Sequence, residues 1–288
     1  MIRTILLLVA AASISMAQDG RLHVIAFGAH PDDCDIRAAG TAAEFVAHGA
    51  EVEFVSLTNG DAGHQSEGGG MLAKRRRAEA EESGRLLGVR YIVLDNHDGE
   101  LLPTLDVRRE IIRLIRQWHA DIVLAPRPND YHPDHRYAGV LVEDAAYMVV
   151  VPNVVSDTPA LRKNPVFFYY EDRFQKPAPF RPDVAIDIDP VFDKKIDGLD
   201  AQVSQFYEWL PWVAGKLDEV PKDPVARKQW LANGPFAPPP TPDVRKALEK
   251  WYGPERAAKV KHAEAFELCE YGSQPDEKEL RRLFPMLP

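Results

Sequence analysis

Cysteine is nearly absent from this chain: Cys34 and Cys269 are the only two among 288 residues. Two thiols permit one bridge at most and exclude a disulfide-built scaffold, so the fold must rest on a hydrophobic core. A chain of this length can bury one, as one or two domains. Positive charge is in short supply as well, with 35 Lys and Arg against 44 Asp and Glu and a formal net charge of −9. That balance argues against a nucleic-acid partner. Long apolar runs are also missing. The run from Ile5 to Ile14 spans about ten residues, where a membrane-spanning helix needs ~20. With basic Arg3 ahead of it and small Ser15 and Ala17 behind, residues 1–17 read as a secretory signal peptide. Cleavage after Ala17 would leave a mature chain from Gln18, periplasmic or secreted, with no membrane span. In that compartment a bridge between the two cysteines is permitted. No G-x-G-x-x-G opens a helix after the first strand, which removes the dinucleotide fingerprint.

What is present is an alternation. The β-rich apolar runs "HVIAFGA" (23–29), "EVEFVSLT" (51–58), "YIVL" (91–94) and "DIVLAP" (121–126) are separated by helical patterns at 40–49, 72–89 and 107–119. In the last, Ile111, Ile112, Ile115 and Trp118 follow a helical repeat. Such alternation predicts an α/β fold, Rossmann-like, with a mostly parallel sheet flanked by helices. Two more strands are expected at 166–171 and 183–188, followed by a helix from Asp189 or Pro190. Residues 18–212 are assigned to this α/β domain. Residues 213–288 read as a proline-rich connector, "NGPFAPPPTP" at 233–242, and a C-terminal helical extension packed on the same domain.

In open parallel sheets, ligands sit beyond the carboxyl ends of the strands. Here those ends carry "HPDD" (30–33), "NGDAGH" (59–64), "DNHDG" (95–99) and "RPNDYHPDH" (127–135). A catalytic zinc takes three protein ligands from His and carboxylate and leaves a place for water. His30, Asp33 and His135 supply that set. Asp32 beside them is a candidate general base, His132 a candidate stabiliser of a developing oxyanion, and Asp134 a carboxylate to orient that histidine. The plainer reading of each aspartate alone is a helix or turn cap. His64 and His97 are read as loop histidines, and Lys74 to Arg77 as a solvated helix face balanced by Glu79, Glu81 and Glu82. Cys34 reads as a small apolar filler.

The motifs "AHPDD" (29–33) and "HPDH" (132–135) resemble the two signatures of the PIG-L/LmbE family of zinc-dependent de-N-acetylases. The likeness extends through "NGDAG" (59–63), "RRAEAEESGRLLGV" (76–89) and "DG" (98–99), and weakly to residues 192–205 and 262–272. It implies an LmbE-like fold, one Zn2+ per chain on His30, Asp33 and His135, and Asp32 as base. It further implies that protonated His132 stabilises charge with Asp134 behind it, and that Arg76 points toward substrate. Cys34 and Asp35 stand where many members carry a glutamate. The expected activity is hydrolysis of an N-acetyl group from an amino sugar or glycoconjugate. An amide hydrolase of thiol-linked glycosides and a non-catalytic metal-containing carbohydrate binder are the alternatives. The aromatics of "QFYEWLPWV" (205–213), with Trp251 and Tyr252, offer surfaces for a sugar ring.

Overall fold

The computed structural model describes residues 20–236 and 238–288; the segment 1–17 expected to be a signal peptide lies outside the described residues. Seven strands form one sheet: β1 (His23–Gly28), β2 (Glu51–Thr58), β3 (Arg90–Asn96), β4 (Ile122–Ala125), β5 (Val166–Tyr170), β6 (Val184–Asp187) and β7 (Ala263–Gly272). Their spatial order is β3-β2-β1-β4-β5-β7-β6. The first five are parallel, and β7 runs antiparallel between β5 and β6. The expected fold class is thus observed.

The central strands are continuous apolar runs because helices cover both faces of the sheet. Successive residues alternate between the two resulting cores. Val24 and Ala26 join Phe54, Phe168 and Phe266 on one side, whereas Ile25 and Phe27 join Val55, Leu57 and Leu141 on the other. Four crossover helices supply the cover: α1 (Asp33–Ala47), α2 (Gly69–Leu87), α3 (Leu105–Gln117) and α4 (Pro133–Met148). α3 begins where the Thr104 side chain accepts from the Val107 N–H, and it buries Ile111, Ile112 and Ile115 as its periodicity predicts. α5 (Phe192–Ala201) follows a short 3-10 turn at Asp189–Val191.

The terminal region departs from the helical expectation. Helices are present at Pro242–Tyr252 and Glu277–Leu283, but β7 lies between them and is inserted inside the sheet. Its sequence, "AEAFELCEYG", carries acidic residues that obscure a strand pattern, because their partners are distant in sequence. Glu264 accepts from the backbone N–H groups of Gly40 and Thr41 at 3.0 and 2.7 Å and pairs with Lys195 at 2.7 Å. Lys195 in turn donates to the Ile36 carbonyl. A side chain inserted into the hydrogen-bond ladder of α1 in this way ties β7 to the helix that opens with the "DD" pair. Phe284 completes the same core, with ring centroids 5.4 Å from Phe45 and 5.3 Å from Phe168.

Cys34 and Cys269 are both free and buried, and they belong to the cores on opposite faces of the sheet. A bridge between them is excluded in this fold. Cys34 packs as filler, its thiol 3.4 Å from the Ala26 carbonyl.

Candidate active site

The strand order reverses direction between β1 and β4, where diverging connections open a crevice at the carboxyl edge. The loop after β1 is wound around Asp33. Its Oδ2 accepts from the backbone N–H groups of Ala29 and His30 at 2.8 and 2.9 Å, leaving Oδ1 3.3 Å from His135 Nε2. Only glycine fits at position 28, since a Cβ there would lie 2.6 Å from that of Asp33. Across the crevice α4 starts abruptly at Pro133, with His132 as its cap accepting from the Asp134 N–H at 3.2 Å. Gly139 lets α4 press on the loop after β4; a Cβ there would stand 2.8 Å from the Pro126 carbonyl oxygen. His135 is thereby aimed at His30.

Two ring nitrogens, His30 Nδ1 and His135 Nε2, face each other at 3.1 Å. Asp33 Oδ2 is 3.6 Å from His30 Nδ1. Ligands about 2.0–2.1 Å from a tetrahedral zinc are roughly 3.3 Å apart, so the two imidazole nitrogens have the spacing of neighbouring ligands in such a shell, and Asp33 meets them through different oxygens, Oδ1 at His135 and Oδ2 at His30. Carboxylates stand behind both rings. Asp98 Oδ1 and Asp134 Oδ2 lie 3.0 and 3.4 Å from His30 Nε2, as close contacts rather than directed hydrogen bonds. Asp130 Oδ1 is 3.0 Å from His135 Nδ1. Outer carboxylates of this kind place the ring protons outward and turn the inner lone pairs on a shared point. Two nitrogens at that separation can share a proton or, with both lone pairs turned inward, a cation. The residues present therefore fit a metal ion.

Electrostatics say the same. Burial opposes a charge on His30, but Asp134, Asp33 and Asp98 outweigh it and raise its pKa well above the usual value. Burial likewise opposes charge on His135, yet Asp33 and Asp130 raise it to about 9. Asp33 is held well below the usual carboxylate range because the two histidines outweigh its burial. Crowded carboxylates here demand positive charge, which metal binding supplies in exchange for protons. His132, whose ligand atoms fall within 4.8 Å of those of His30 and His135, stands on the open side of the group, as does the exposed Tyr131 ring 5.8 Å from it.

Three expected roles change. Arg76 does not reach toward substrate. It is 2% exposed, enclosed by Gly60 and Gly63, and its guanidinium donates to Asp32 Oδ1 at 3.2 Å and lies 3.8 Å from Asp98. Asp32 is itself buried, and burial together with Asp33 raises its pKa against the pull of Arg76. Asp134 does not stand behind His132 either. Its carboxylate accepts from the N–H groups of Gly99 and Leu101 and faces His30; only its backbone N–H meets His132. Because His132 Nδ1 accepts that bond, its proton belongs on Nε2. Burial and the neighbouring His30 and His135 lower its pKa, so the neutral N–H donor, not the imidazolium, is the form on hand.

The two histidines at the other strand ends, His64 and His97, pair with carboxylates. His64 Nε2 is 2.9 Å from Glu208, and His97 Nδ1 is 2.6 Å from Asp61. Asp35 accepts from Ser83 and from Tyr91 at 2.9 Å and ties α1 to α2 and β3. Asp98 and Asp130 were not singled out from sequence. Both lie in the polar strand-end segments, but nothing local separates them from ordinary turn aspartates.

Comparison with known proteins points to one family. The family model for PIG-L, described as GlcNAc-PI de-N-acetylase, matches residues 25–146. The diacetylchitobiose deacetylase of Thermococcus kodakarensis is 35% identical over 203 residues, 66% of this chain and 73% of that protein. The mycothiol S-conjugate amidase of Streptomyces coelicolor is 27% identical over 187 residues, 54% of this chain and 63% of that protein. Among solved structures, the N,N'-diacetylchitobiose deacetylase of Pyrococcus horikoshii with its inhibitor MPG superposes with a TM-score of 0.63. It is 27% identical, covering 85% of this chain and 83% of that one.

Proposed function

The chain belongs to the PIG-L family of de-N-acetylases, and we propose that it hydrolyses the N-acetyl group of an amino sugar or small glycoconjugate with zinc held by His30, Asp33 and His135. The observation that carries this reading is the approach of two carboxylate-backed imidazole nitrogens to 3.1 Å with the Asp33 carboxylate against both, and a buried carboxylate and a histidine N–H donor beside them. A bound divalent cation supplies Lewis-acid chemistry, lowering the pKa of a coordinated water toward ~7 and polarising the acyl carbonyl.

The chain's own residues do the rest. Asp32 Oδ1 is committed to Arg76. Oδ2 is left to take the proton from the attacking water and return it to the departing amine nitrogen. Arg76 fixes the plane of that carboxylate, and its buried charge limits how far burial raises the carboxyl pKa. His132 Nε2–H donates to the oxygen that gains negative charge as the tetrahedral centre forms. Asp98 and Asp134 hold His30, and Asp130 holds His135, each at its outer nitrogen. Acetate and a free amine are the products. The apolar segment at 5–14 behind Arg3 supports export to the periplasm or beyond, with residue 18 as the mature N-terminus.

The test is a product assay on the zinc-loaded mature chain. N-acetylglucosamine or N,N'-diacetylchitobiose is expected to yield amine and acetate in equal amounts, and a chelator to stop both. Amine without acetate from a thiol-linked glycoside, with N-acetyl sugars inert, would establish the amidase alternative instead. Tight sugar binding with no product from either class would overturn hydrolysis.

A further inference from the structure

The aromatic segment at 205–213 divides into two sets. Phe206, Tyr207 and Trp251 are buried in the core, which removes them as a surface for sugar. Trp209 and Trp212 are not. Their rings stack with centroids 5.3 Å apart and planes at 16°, and Trp212 is 49% exposed.

The backbone brings this pair to the carboxyl edge of the sheet. Residues Ser204–Trp209 form a single π-helical turn, a form that recurs at functional sites. The wide turn directs several polar side chains at α2 and at the loop after β2. Ser204 donates to Glu79, Gln205 donates to the Gly63 carbonyl at 3.1 Å, and Glu208 meets His64 at 2.9 Å. Arg75 grips Glu208 through two nitrogens at 2.7 and 2.8 Å. Gly63 is the point of contact with the catalytic groups. A Cβ there would lie 3.0 Å from both Arg76 Nη1 and Asp98 Oδ2, and 3.9 Å from Trp209 Nε1. One glycine thus separates the indole edge from the side chains that hold Asp32 and His30.

We propose that the Trp209–Trp212 pair is the subsite for a second pyranose ring, the sugar bonded to the residue being deacetylated. The inference rests on the deacetylase reading of the adjoining site. An indole face offers a broad apolar surface to the C–H face of a pyranose, and its N–H remains for a hydroxyl. The mutual stacking and the clamp on Glu208 fix the rings before substrate arrives, which lowers the ordering cost of binding. Continuity with the catalytic edge favours substrate over the other occupant of an exposed apolar patch, a second copy of this chain seated on Trp212, Val213 and Leu217.

The experiment compares wild type with Trp212→Ala and Trp212→Phe as zinc-loaded mature chains. Calorimetry gives the dissociation constants of N-acetylglucosamine and N,N'-diacetylchitobiose, and amine release gives kcat/KM for each. Wild type is expected to favour the disaccharide in both. The alanine variant is expected to lose about tenfold of that preference, and the phenylalanine variant to recover part of it. An unchanged preference in Trp212→Ala, or no preference in wild type, overturns the subsite. So does a variant that shifts only the sedimentation coefficient from dimer to monomer. Absence of amine release from both sugars by wild type defeats the deacetylase reading, while the calorimetric preference still decides the subsite.

Discussion

Replacing Asp32 by asparagine is expected to lower kcat about 100- to 10,000-fold, the range of a lost general base, with metal content unchanged and KM little altered. The substitution is conservative in every respect but one. An asparagine Oδ1 still accepts from Arg76 Nη2, so the buried guanidinium keeps its partner and the loop keeps its shape. Asp33 keeps both backbone N–H donors. What disappears is the basic oxygen at Oδ2. Steady-state kinetics and elemental analysis on the same preparation separate this outcome from loss of metal. Near-normal turnover would require the base to lie elsewhere, and the role of Arg76 as its support would go with it.

His132→Ala is expected to lower kcat about 100- to 1,000-fold, the usual cost of one oxyanion donor, and to retain the metal. Because His132 also caps α4, the variant is expected to lose on the order of 1 kcal/mol of stability, and a thermal melt shows whether folding or chemistry accounts for the loss. The metal measurement is informative in its own right. His30, His132 and His135 bring ligand atoms within 4.8 Å of one another, so a variant that loses metal would make His132 a ligand in place of Asp33. The hydrogen bonds of Asp33 favour the opposite result, since they pre-set its carboxylate toward His135 with no help from a metal.

The legible part of the site was the part that strand order dictates. "HPDD" and "HPDH" each follow a parallel strand, and β1 and β4 are neighbours, so His30 and His135 had to meet although 105 positions separate them. Side-chain direction was not legible. Arg76 faces Asp32 rather than substrate because Gly60, at φ +70, and Gly63 close the loop over it, and a helical position alone does not reveal what a loop will cover. Asp134 turns toward His30 because the Gly99 and Leu101 N–H groups, a strand away in sequence, offer it better partners than its neighbour does. β7 was hidden for a related reason: Glu264 is satisfied by Lys195 and by the α1 backbone, none of them near it in sequence. Trp209 and Trp212 share a motif with buried Phe206 and Tyr207, and nothing local in the sequence separates half-buried Trp209 and exposed Trp212 from the core pair.

Metal content per chain, measured by elemental analysis after incubation with zinc and removal of the excess, tests the central claim most directly. Wild type is expected to retain about one zinc per chain, and His135→Ala, which removes one of the two facing imidazoles, to retain almost none while remaining folded. A folded wild type that holds no zinc, or a His135→Ala variant that holds as much as wild type, would contradict the site described here.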